Sequence, residues 1–70
     1  MKQNMDKFIE FNGGVFNTRH VIALIKGKRD VTPQYCISMY VTGDIERQYF
    51  DEEYERDSVF NQLSRELLNE

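Results

Sequence analysis

Seventy residues make one small domain, and at that size a single apolar core supplies only about 3–5 kcal/mol, so cross-links or association usually reinforce it. A composition that is 40% hydrophobic and 30% charged, with four tyrosines and five phenylalanines, excludes a disordered chain. The lone Cys36 excludes an intrachain disulfide, Cys36 and His20 together are too few for a zinc site, and the longest apolar run, Val21–Ile25, falls far short of the ~20 residues of a membrane span.

The net charge of −3 conceals an asymmetry. Residues 1–35 hold six Lys/Arg and three Asp/Glu (6 − 3 = +3), whereas residues 36–70 hold three and nine (3 − 9 = −6). An acidic C-terminal helix lying beside a mildly basic sheet is the simpler account of this split; the alternative is two unlike surfaces, one of them meant for a partner. The opening "MKQNMDKF" has no apolar core of the kind a secretory signal carries, so a soluble, cytoplasmic protein is expected, in host cytoplasm if the source is viral. Residues 1–6 are expected to be loose, with Met5 an alternative start.

In chain order, "FIEF" (Phe8–Phe11) reads as a short strand ending at "NGG", where Asn-Gly favours a hairpin because both turn positions want positive φ. Val15 and Phe16 begin the return strand, and Asn17–Arg19 predict a bend or bulge. His20–Ile25 is a β-branched run too short for a typical helix, hence a strand. Beyond the loop "KGKRDVTP", Gln34–Val41 alternates most clearly, with Tyr35, Ile37, Met39 and Val41 on one face and Cys36, Ser38 and Tyr40 on the other. "TGD" marks a turn and Ile45–Phe50 a last strand. Val59, Phe60, Leu63 and Leu67 then form an apolar stripe at helical spacing. Arg56 falls beneath that stripe, so the spacing predicts a helix from about 57 to 69, preceded by a helical turn. The expected fold is α+β: one twisted antiparallel sheet of four or five strands in meander order, with one C-terminal helix packed on one face.

Chemistry is sparsely marked. A His20–Cys36 pair has no third group to orient it, so no catalytic residue is assigned. "DEEYERD" holds five carboxylates but lacks the glycine and spacing of a calcium loop, and no metal ligand or cofactor is assigned. A sheet covered by one helix leaves a face open, and tyrosine is common at interfaces because its ring offers area and its tip polarity. Tyr35, Tyr40 and Tyr49, with Asp51, Glu52, Glu53 and Glu55 for charge complementarity, are therefore the expected surface for a protein partner or a homodimer. The alternative is nucleic-acid or nucleotide binding by Lys26, Lys28 and Arg29, where Gly27 lets the backbone approach a phosphate. An acidic pI near 5.1 weighs against it. No membrane partner is expected.

The order of features "FIEFNGG-VFNTRHVIALI … YCISMYVTGD … YFDEEYERDSVFNQLSREL" resembles that of short, mostly uncharacterised phage and bacterial proteins with a small β-meander followed by one helix. That resemblance implies a non-enzymatic accessory protein, and among phage proteins of this size an inhibitor of a host defence or regulatory protein is a recurring type. No functional residue carries over from it.

Overall fold

A computed structural model describes residues 7–68. The chain runs through β1 (Phe8–Phe11), β2 (Gly14–Asn17), a 3-10 turn (Thr18–His20), β3 (Val21–Lys28), β4 (Tyr35–Val41), β5 (Asp44–Phe50) and α1 (Glu53–Leu68). The class is α+β as expected, but the strands form two antiparallel sheets, β1-β2 and β3-β4-β5, in place of the single expected sheet. The division falls at the expected bend. The Asn17 side chain accepts from the Arg19 N–H at 2.9 Å and caps the 3-10 turn, so β2 is not followed by a hairpin and never pairs with β3.

Local chemistry explains the remaining turns. Asn12 (φ 53°) and Gly13 (φ 81°) both adopt the left-handed region, as a two-residue hairpin turn requires. Gly43 (φ 84°) does the same between β4 and β5, where Val41 faces Asp44. β3 extends beyond the expected Ile25 because Lys26, Gly27 and Lys28 pair with Ile37, Cys36 and Tyr35. Near its start a bulge between Val21 and Ala23 shifts the register by one residue. Between β3 and β4, Arg29 ties the loop: its N–H donates to the Gln34 carbonyl, and Nε and Nη2 donate to the Pro33 carbonyl at 3.1 and 2.7 Å.

One core serves both sheets. Ile9 and Phe11 from the hairpin meet Ile37, Met39 and Phe50 from the larger sheet and Leu63 from α1, with Phe16, Leu24, Val59 and Phe60 around them. These sheet residues all point to one side, so helix and hairpin together form the second layer. Burying a side chain such as Ile37 or Met39, both fully enclosed, contributes about 1.5–3 kcal/mol.

The helix begins at Glu53, one turn earlier than the expected start near residue 57. The reason is Arg56, which is buried where the apolar stripe should continue. Its Nη1 donates to the Gly27 carbonyl at 2.8 Å, Nε donates to Asp57 Oδ1 at 3.0 Å, and Nη2 reaches Glu53 Oε2 at 3.3 Å. The guanidinium also lies 5.3 Å from the centre of the Tyr35 ring. A charge supplied with this many partners is tolerated beneath the stripe, so the helix continues through it. Tyr54 points away, exposed. The expected looseness of residues 1–6 lies outside the described residues.

Candidate protein-binding face

The register of β3-β4-β5 assigns each side chain to a face. Gly27, Cys36 and Tyr49 form one cross-strand row, Ile25, Ser38 and Arg47 the next, and Ala23, Tyr40 and Ile45 the third. These rows lie opposite the helix, and none of their members belongs to the core cluster. Ile25, Ile45 and Tyr49 are 50%, 42% and 43% exposed, although each is large and apolar or aromatic. Two arginines complete this open face. Arg47 Nε donates to the Ser38 hydroxyl at 3.1 Å, and the Arg29 guanidinium stacks 4.2 Å from the Tyr49 ring centre. None of the nine residues in the three rows is a carboxylate; the acids of β5, Asp44 and Glu46, alternate onto the other side.

Close packing at one end stiffens the face. A Cβ built on Gly27 would stand 2.8 Å from Cys36 Sγ, so only glycine lets β3 pass this buried thiol.

The residues singled out from sequence separate accordingly. Tyr40 and Tyr49 lie on the open face. Tyr35 lies on the helix side, half-buried between Arg56 and Lys28, whose Nζ is 5.8 Å from its ring centre. Asp51, Glu52, Glu53 and Glu55 are exposed where β5 passes into α1. Asp51 and Glu55 line a shallow cleft of about 470 Å³ together with Tyr49, Tyr54 and Ser58, so one edge of the open face adjoins the acidic helix start. Glu53 instead pairs with Arg56.

The three cations of the basic loop do not converge. Lys26 turns to the helix side, 3.6 Å from Asp57 Oδ1 and 5.1 Å from the Phe60 ring centre. Lys28 shares that side, whereas Arg29 crosses to Tyr49 with its donors engaged by Pro33. The hydrogen bond from Arg56 holds the Asp57 carboxyl below the usual aspartate value; burial opposes this, and the charges of Arg56 and Lys26 add to it.

His20 and Cys36 are not brought together. His20 accepts through its carbonyl from the Thr42 N–H, while Cys36 lies five residues back along β4 from Val41, about 17 Å at strand rise. Among the described residues no three His, Cys, Asp or Glu gather as metal ligands, and no helix is long and apolar enough to cross a membrane. Sequence reading missed Ile25, Ile45 and Arg47 as members of the face. Alternation along "DIERQYF" carried that signal, since it places Ile45, Arg47 and Tyr49 together.

Comparison with protein-family models finds no match, and no curated protein or solved structure matches the chain.

Proposed function

We propose that this is a small protein-binding module that docks a partner protein on the open face of β3-β4-β5. The observation that carries this reading is the grouping of exposed Ile25, Ile45 and Tyr49 with Arg29 and Arg47 on one sheet face. Tyrosine and arginine dominate the binding energy of interfaces, and fixed aromatic area costs little entropy to present. The charge selects the partner's chemistry: an apolar patch bordered by carboxylates complements two arginines. A second copy meets that requirement only head to tail, offering its Asp51–Glu55 segment, because face-to-face pairing sets arginine against arginine. Occluding a surface of another protein is the action an inhibitor of this size performs, in keeping with the resemblance to phage accessory proteins.

A photo-crosslinking residue at Tyr49, with the same residue at exposed Val15 as control, tests the reading in cell lysate. A discrete adduct from position 49 that Arg47→Glu abolishes supports it; equal labelling from both positions overturns it. Light scattering identifies a second copy as the partner if the mass doubles and Arg47→Glu reverses the doubling.

Nucleic-acid binding is a second reading, favoured by the Arg29–Tyr49 stack beside Arg47 on a β surface. Oligonucleotide affinity that falls steeply with salt, and falls further with Arg29→Ala, supports it. No binding at low salt overturns it.

A further inference from the structure

On the other side of the molecule, β1 has one edge that no strand among the described residues occupies. Phe11–Gly14 closes the two-residue turn, and the Thr18 N–H donates to the Lys7 carbonyl at 2.8 Å. Directly bonded pairs alternate with unbonded ones in an antiparallel ladder, so Lys7, Ile9 and Phe11 spend their backbone groups on β2. Phe8 and Glu10 therefore direct their N–H and C=O groups away from β2, and among the described residues β1 pairs with no other strand.

The residues that carry these groups line a groove. Lys7–Glu10 form one wall of a cleft of about 610 Å³, and Val59, Gln62, Leu63 and Glu66 of α1 form the other. The volume lies within the range of sites that enclose ligands. Ile9 and Leu63, both buried, make an apolar floor, and the Lys7 ammonium donates to the Glu66 carbonyl at 2.9 Å across one end. Exposed Glu10 and half-buried Glu66 are the acidic residues of the groove lining.

We propose that this groove binds one extended peptide segment as an added strand, with an apolar side chain inward against Ile9, Val59 and Leu63 and a basic side chain beside Glu10. The backbone specifies the occupant's conformation, because only an extended chain can satisfy alternate N–H and C=O groups at Phe8 and Glu10 together. The helix specifies that it comes as a single strand. A second copy's β1 is flanked by its own β2, which would need the space α1 occupies as the opposite wall. Side chains of directly opposed residues share a face. A residue opposite Ile9 thus points to the floor, and its neighbours lie beside Phe8 and Glu10, where the carboxylate favours Lys or Arg. The site is distinct from the open sheet face, and the two stand or fall separately.

The test is titration of the 15N-labelled protein with the capped pentapeptide Thr-Val-Arg-Val-Thr to a few millimolar. Amide shifts confined to Phe8–Glu10 and Val59–Glu66 are expected. The same peptide N-methylated at Arg should bind at least about fivefold more weakly, since it loses a backbone donor. Glu10→Pro should abolish binding while core amides keep their positions, because its N–H lies on the outer edge of β1 and takes no part in pairing with β2. Absence of shifts at these amides, shifts confined to the open face, or equal binding of the N-methylated peptide would overturn the proposal.

Discussion

The Arg56 guanidinium donates to the Gly27 carbonyl at 2.8 Å and so joins the first turn of α1 to the end of the edge strand β3, 29 residues away in sequence. The same side chain holds Asp57 and Glu53 and covers Tyr35. Arg56 fastens the helix to the sheet where an apolar side chain would ordinarily do so.

Replacing Arg56 by Ala should therefore destabilise the fold by about 2–3 kcal/mol. The figure stays below the full cost of breaking a buried pair because the carboxylates of Glu53 and Asp57 remain partly hydrated. Arg56→Lys should recover less than half of the loss, since one ammonium cannot reach Gly27, Asp57 and Glu53 together. Urea unfolding monitored by far-UV circular dichroism measures both.

Asp57 sets a pH dependence of defined sign. Its carboxyl titrates below the ordinary value of 3.8 in the folded protein, mainly through the hydrogen bond from Arg56. A group with a depressed folded pKa contributes stability above its unfolded pKa and loses it as pH falls through the folded one. The difference in urea midpoint between wild type and Asp57→Asn should be clear at about pH 7 and should shrink towards about pH 2. A difference that is constant across this range would contradict the assignment.

Gly27→Ala should cost about 1–3 kcal/mol, because the new methyl meets the Cys36 thiol at 2.8 Å within a close-packed row. Removing the sulfur relieves the clash, so the Gly27→Ala/Cys36→Ala pair should be more stable than the sum of the single changes predicts. Thermal unfolding of the four proteins in a double-mutant cycle reads the coupling.

Neighbouring strands should respond unequally to loss of isoleucine. Ile37→Ala empties a fully buried position and should cost about 2–5 kcal/mol. Ile45→Thr on the open face should change stability by no more than about 0.5 kcal/mol. If Ile45→Thr were as damaging as Ile37→Ala, the face would be covered rather than open.

Much of this fold was legible in residue patterns. "NGG", "TGD" and the alternation from Tyr35 to Val41 report local backbone geometry and one-sided burial, and each appears where expected. Two features were not legible. The break between β2 and β3 depends on Asn17 capping a 3-10 turn, a choice made by one side chain among several short-range options. The early helix start depends on Arg56 finding Gly27, a partner that exists only once the sheet has formed. Periodicity registers a buried arginine as a fault in the stripe because it has no means of representing a partner 29 positions away.

The site was legible only in part. Tyr40 and Tyr49 fall on the open face, but Tyr35 has opposite parity on β4 from Tyr40 and goes to the helix side. Lys26 and Lys28 are parted from Arg29 by the same alternation, so a cluster dense in sequence is divided in space.

That alternation has an evolutionary consequence. On β5, Phe50 belongs to the core while Ile45, Arg47 and Tyr49 only face outward, so positions one residue apart answer to different selective pressures. These three positions can be varied, by drift or by library selection, without emptying the core. The strand has the layout of a display scaffold in which packed and open positions interleave.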